Sequence, residues 1–201
     1  MKDAKYPEID FKDIRDGFPM DRRDFLKTAG SGIFILFTIK DASFFTQERQ
    51  IRQQQGYPSD FNAYLKIDED GRVACYTGKI EMGQGIITSL AQMLADELDV
   101  SLDSVDMVMG DTDLCPYDRG TFGSLSTRFF GPPLREAGAE GRIVLLELAS
   151  EKLKVPVKNL SVENGIVYEK KNKKNKISYA ELAKGKKITR HVNGQVDIKK
   201  P

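Results

Sequence analysis

The sequence predicts an α+β fold, with helices laid on a small, mainly antiparallel sheet. Three observations predict it. Short alternating apolar runs come in pairs around turn residues, at Glu69-Asp-Gly71 and at Asn164-Gly165, which is the pattern of hairpins. Two longer stretches, Ile86–Leu98 and Leu134–Lys154, read as helices. The length of 201 residues allows one modest domain once the N-terminal segment is set aside.

The elements follow in order. Asp21-Arg-Arg-Asp-Phe-Leu-Lys27 resembles a twin-arginine export signal. The apolar run Gly32–Ile39 comes next and is too short to span a bilayer, which needs about 20 apolar residues. It fits the apolar part of a signal; a short buried helix or strand is the alternative. Lys40–Phe45 carries no clean small-x-small cleavage pattern, so retention as an anchor is the companion expectation. Gln47–Ser59, rich in Gln and Arg, reads as a linker. The expected division is 1–46 signal or anchor, 47–59 linker and 60–201 domain.

Within that domain, 60–67 and 72–77 form the first hairpin. Ile86–Leu98 places Ile87, Leu90, Ala91, Leu94 and Leu98 on one helix face. Val105–Met109 is a strand. Pro132 and Pro133 suit the first turn of the long helix, and Pro156 ends it. Ala137, Gly138, Ala139 and Gly141 let its first half approach another element closely. Glycine there costs about 1 kcal/mol of helix propensity, so close packing is the expected compensation. Leu160–Val162 and Ile166–Tyr168 form the second hairpin, and Ser178–Lys184 a short helix.

Charge excludes one class of function. With 31 Lys and Arg against 30 Asp and Glu, the formal net charge is +1, which gives no electrostatic case for nucleic acid. The basic run Glu169–Lys176 reads as a solvated hairpin tip. Cys75 lies in an apolar strand and reads as core, while Cys115 precedes Pro116 in a loop. Two cysteines alone are too few for a zinc or iron–sulfur site. His191 lies in a basic, polar tail and reads as a surface residue.

Gly78-Lys-Ile-Glu-Met-Gly-Gln-Gly-Ile-Ile-Thr88 is the most informative stretch. Gly83 and Gly85 flank Gln84, so the backbone can turn sharply and let a ligand approach. The helix that follows would direct free N–H groups at the turn, an arrangement that suits a phosphate. The stretch lacks the Gly-Lys-Ser/Thr ending of a P-loop and the third glycine of a dinucleotide fingerprint. Glu81 and Asp111 lie near these blocks and read as solvated or turn-capping carboxylates.

Lys79–Gly85, Leu90–Val100, Met109–Pro116 and Gly120–Thr127 stand in an order and spacing similar to those of the molybdopterin-binding subunit of the xanthine dehydrogenase and aldehyde oxidase superfamily. The branch they resemble most is that of isoquinoline 1-oxidoreductase and nicotinate dehydrogenase. The resemblance runs from about Phe61 to about Arg190. It implies a molybdenum–molybdopterin cofactor, usually in the cytosine dinucleotide form, and hydroxylation of an aldehyde or an aromatic N-heterocycle with oxygen from water. It implies iron–sulfur clusters on a small partner subunit, with a cytochrome as a candidate electron acceptor. It places Gln84 beside the metal's oxo ligand, with Gly83 and Gly85 giving close backbone approach. It places Gly123, Ser124, Ser126 and Thr127 against the pterin, where hydroxyls and N–H groups suit its acceptors. Relatives often carry Arg where this chain has Leu125.

The family's catalytic Glu lies near the end of a subunit several times longer. The expectation is therefore a fragment, or one piece of a split subunit, needing the remainder of the large subunit; no catalytic residue and no protein metal ligand is assigned here. A folded-protein export route to the periplasm, or to the periplasmic face of the membrane, matches a cofactor inserted in the cytoplasm. Two other functions fit the same residues: a non-catalytic split or decayed subunit that binds cofactor or assists assembly, and an exported small-molecule binding module.

Overall fold

The computed structural model describes residues 31–37, 63–116, 118, 120–192 and 196–200. Among them the order is β1 (Gly32–Phe37), β2 (Ala63–Ile67), β3 (Val73–Thr77), α1 (Ile86–Leu98), β4 (Val105–Met109), α2 (Gly131–Leu153), β5 (Leu160–Glu163), β6 (Ile166–Glu169), β7 (Asn172–Ser178), α3 (Tyr179–Ala183) and β8 (Lys187–His191). The larger sheet runs β4-β3-β2-β1-β8 and the smaller β5-β6-β7. In the larger one, β2 is antiparallel to both neighbours, whereas β3/β4 and β1/β8 are parallel. The smaller sheet is antiparallel throughout. The α+β class holds, and the two parallel pairs come from the crossover through α1 and the long return to β8.

The first hairpin closes at Asp68–Gly71, where Gly71 N–H donates to the Asp68 carbonyl at 2.9 Å. The second closes on Asn164 and Gly165, both at positive φ, as an Asn-Gly turn requires. Ser178 starts α3 through a reciprocal capping box with Glu181. The lysine-rich run, expected as a hairpin tip, extends through β7, with most of its side chains still in solvent.

Gly32–Phe37 is the largest departure from expectation. All six residues of this run are buried in β1, between β2 and β8. Ile33, Ile35 and Phe37 join Leu65, Ile67, Leu94 and Leu98 in the core between sheet and helices. The sheet thus reaches across the division expected at residue 60. The cause is apolar burial, since each such side chain contributes roughly 1.5–3 kcal/mol when removed from water. The paired arginines Arg22 and Arg23, and the expected linker, lie outside the described residues.

α2 packs on α1 and against β1 and β2. Its glycines act as expected. A Cβ on Gly138 would stand 2.9 Å from the Glu97 Cβ, and one on Gly141 would stand 3.3 Å from Leu98 and 3.5 Å from Ile67. Close approach seats Glu97, fully buried, against Arg135 at 2.6 Å and Arg142 at 3.9 Å. Among the described residues no helix is long and apolar enough to cross a membrane. His191, expected at the surface, is half-buried at the end of β8 opposite Leu36. Cys75 is buried, Cys115 is half-buried, and both are free thiols.

Candidate functional site

Two loops meet beside the N-terminus of α1. The first runs from Gly78 to Gly85 after β3. The second runs from Gly120 to a π-helical turn, Ser126–Phe130, that leads into α2. Between them lies a cavity of about 450 Å³, lined by Met82, Gln84, Ile86, Ser89, Thr121, Phe122, Gly123, Ser124, Ser126 and Thr127. The structure therefore brings Gln84 together with Gly123, Ser124, Ser126 and Thr127. Gly83 and Gly85 stand in the same loop, on either side of the lining residue Gln84.

The first loop is shaped by positive φ at both glycines, 90° at Gly83 and 77° at Gly85. A Cβ on either would meet nothing within 4 Å. The glycines thus supply backbone conformation and leave open space beside it. Gln84 is held at both ends of its amide. Its Oε1 accepts from Met82 N–H at 2.5 Å, and its Nε2 donates to the Ile80 carbonyl at 3.0 Å. An amide nitrogen carries two hydrogens, so a second donor remains beyond the one that orients the group.

The helix end corrects an expectation. Glu81, rather than open solvent, faces those N–H groups. Its Oε1 accepts from Gly83 at 2.7 Å and Gly85 at 3.0 Å, and its Oε2 accepts from Ile87 at 3.0 Å. These backbone donors, Ile87 foremost, hold the Glu81 carboxyl below the usual carboxylate range. A carboxylate of the chain's own thus satisfies the donors expected to receive a phosphate. The turn-capping reading of Glu81 is the observed one. Asp111 acts similarly, accepting from Asp113 at 2.8 Å and Leu114 at 3.0 Å.

The second loop presents hydroxyls. Gly123 has φ 60° and Ser124 φ 56°, an uncommon conformation for a residue with a Cβ and one that recurs at ligand sites. Ser126 is buried at 8% exposure although polar. Leu125 packs its side chain 3.5 Å from a Cβ built on Gly123. Met82 at 68% and Phe122 at 51% exposure add apolar surface at the mouth. These two, with Thr121 and Ser89, escaped sequence reading. Only their adjacency to the glycine blocks could have pointed to them, because exposure of a large apolar side chain is a tertiary property.

Away from the lining, Tyr64 ties β2 to the loop after β4. Its hydroxyl donates to the Leu114 carbonyl at 3.0 Å, and its ring stacks on Tyr76 at 4.5 Å. Burial pushes its pKa up, so it stays a neutral donor. Among the described residues no three His, Cys, Asp or Glu side chains are grouped to hold a metal ion. The cavity thus offers hydroxyls, one oriented amide and apolar faces. Such a lining can hold a polar group by hydrogen bonds on one side and apolar contact on the other.

The molybdopterin cofactor-binding domain family matches residues 9–199 of this chain. A nicotinate dehydrogenase subunit of Pseudomonas putida is 36% identical over 136 residues, which cover 68% of this chain and 11% of that protein. The corresponding subunit of isoquinoline 1-oxidoreductase from Brevundimonas diminuta is 31% identical over 129 residues, 60% of this chain and 16% of that one. Among solved structures, quinoline 2-oxidoreductase from Pseudomonas putida 86 superposes with a TM-score of 0.53 at 27% identity, over 60% of this chain and 15% of that chain. The Cu,Mo-CO dehydrogenase gives 0.53 at 30% identity, with the same coverage. The chain thus spans under a fifth of the length of each of these proteins.

Proposed function

This chain belongs to the molybdopterin cofactor-binding domain family, and from that premise we propose that its two glycine loops form one wall of a molybdenum-cofactor site in a larger oxidoreductase. The observation that carries this reading is the cavity joining Gln84 to Gly123, Ser124, Ser126 and Thr127. Ser124, Ser126 and Thr127 would hold pterin acceptors through hydroxyl and backbone N–H donors. Gln84, its amide fixed by Met82 and Ile80, would offer its second N–H to an oxygen of the bound group. Gly83 and Gly85 would admit the group beside bare backbone. Bound there, the cofactor supplies two-electron redox chemistry. Met82 and Phe122 would exclude water from its face, which strengthens each hydrogen bond inside.

The finer reading is a cytosine dinucleotide form of the cofactor, an iron–sulfur small subunit as electron acceptor, and an aldehyde or aromatic N-heterocycle as substrate. The remainder of a large subunit would supply the catalytic Glu, so the isolated chain should turn over neither substrate class. The test is production with the adjoining large-subunit and small-subunit polypeptides in a molybdenum-supplied host, with molybdenum and pterin measured per chain. Close to one of each is expected, and their absence from a complex that assembles would overturn the reading.

Export by the folded-protein route is proposed on the pattern Asp21–Lys27. Gly32–Phe37 is a buried strand, so the proposal rests on Asp21–Lys27 and not on that apolar run. Exchanging Arg22 and Arg23 for Lys keeps the charge and should leave the chain in the cytoplasm; unchanged periplasmic yield would refute the route.

A further inference from the structure

We propose that Lys79 is a positioning residue that fixes the separation of the two loops lining the cavity, a role that rests on the cofactor reading above. Lys79 does not line the cavity itself. Its ammonium reaches across the fold, donating to Asp118 Oδ1 at 2.8 Å and to the Gly120 carbonyl at 2.8 Å. The two side chains are only 12% and 2% exposed. The same Asp118 oxygen accepts from Gly120 N–H at 2.7 Å. The next residue continues the seam, with Ile80 N–H donating to Thr121 Oγ1 at 2.8 Å. Residues 79–80 are thus tied to Asp118, Gly120 and Thr121 across about forty positions of chain.

Each end of this seam leads directly into the site. The Ile80 carbonyl accepts the Gln84 amide, so a shift of residue 80 moves the one oriented donor. Thr121 lines the cavity and opens the stretch that ends at Thr127. Gly78 permits the contact. A Cβ there would collide with the Asp118 Cβ and press on the Pro116 carbonyl oxygen at 3.2 Å. The exposed Arg72–Asp106 pair, at 45% and 54% exposure, lies on the hairpin side of β3 and β4 and sets no such spacing. A buried pair gives little net stability because both charges lose hydration, yet removing one partner strands the other. The Lys79 contact is therefore better matched to fixing geometry than to holding the fold together.

The experiment uses the complete complex from the cofactor-competent host. It compares Lys79→Met, Asp118→Asn, Gly78→Ala and Lys79→Arg, with Tyr179→Phe as control. Tyr179 donates to the Leu98 carbonyl at 2.8 Å, inside the core and away from the cavity. Three readouts are taken: molybdenum per chain, melting temperature, and hydrogen exchange at the Ile80 and Gly120 amides. Lys79→Met and Asp118→Asn should each lower molybdenum by about tenfold to a hundredfold, the range typical of groups that hold a ligand set in place. They should also release both amides, as should Gly78→Ala. Lys79→Arg, which keeps the charge, should recover much of the loading. Tyr179→Phe should lower the melting temperature and keep the metal. Full loading with protected amides in Lys79→Met overturns the proposal. So does a control that loses metal in step with its melting temperature as Lys79→Met does. If the parent complex carries no molybdenum, the cofactor reading fails by itself and exchange decides: amides released in Lys79→Met but protected in Tyr179→Phe uphold the positioning role, and amides unchanged, or released equally in both, overturn it.

Discussion

Gln84→Ala separates the two tasks given to one side chain. In the folded chain the amide makes two hydrogen bonds, from Met82 N–H and to the Ile80 carbonyl. Neutral bonds of this kind contribute about 0.5–1.5 kcal/mol each. Both lie in an exposed turn, where water replaces the lost partner, and Glu81 still caps the same loop. The expected loss of stability is therefore about 1 kcal/mol in total. For a chain of this length alone the unfolding entropy is about 0.4 kcal/mol/K, which sets a fall in melting temperature of about 2–3 °C; the complex is longer, so its fall should be smaller still. A bond to a charged acceptor in a site closed to water is worth more, about 1.5–3 kcal/mol. At about 1.4 kcal/mol per decade, turnover of the reconstituted complex should drop roughly tenfold to a hundredfold. The assays are thermal unfolding of the complex and steady-state dye reduction. Undiminished turnover would refute the site assignment. A fall in melting temperature beyond about 10 °C would show instead that the amide is a structural prop.

Other perturbations probe the frame around the site. Glu97→Ala strands Arg135 and Arg142 beside a buried void and should cost about 3–5 kcal/mol in denaturant unfolding; a loss below about 1 kcal/mol would mean that the pair is solvated. Ile35→Ala should cost about 2–5 kcal/mol, because Ile35 is fully buried in β1; an unchanged midpoint would return Gly32–Phe37 to the signal reading. Glu69, Glu81 and Glu181 have lowered pKa values, held down first by backbone N–H bonds from Gly185, Ile87 and Ser178 respectively. The folded values lie below the unfolded ones. Their contribution is therefore complete above the usual Glu pKa of about 4.3 and is lost as pH falls below it. Acid unfolding monitored from neutral pH downward should show a flat plateau and then a decline in that window; a decline near neutrality would point to other groups.

The fold was legible wherever local chemistry decides structure. Asn164-Gly165, Pro132-Pro133 and the start of the short helix at Ser178 each act through a few residues, and each marks a boundary close to the observed one. The glycines of α2 were legible for the same reason, since only close packing offsets their helix cost. Gly32–Phe37 was not, because an apolar run of that length satisfies a signal and a buried strand equally; only its partners β2 and β8 decide. β8 itself carries Lys187, Arg190 and His191, and its pairing is a tertiary event. At the site, Gln84 and the Gly123–Thr127 block stood out by sequence order, and the cavity unites them. A capping role for Glu81 was legible, but not the three N–H groups it caps; the Lys79–Asp118 tie was hidden because it depends on which way two side chains turn.

The most direct test of the cofactor wall is amide hydrogen exchange on the complete complex, compared between a cofactor-competent host and one unable to make the pterin. Added protection is expected in the loaded complex at Gly83–Ile87 and at Gly123–Thr127, with β5–β7 unchanged. Equal exchange in both segments, with molybdenum present in the loaded sample, would contradict it.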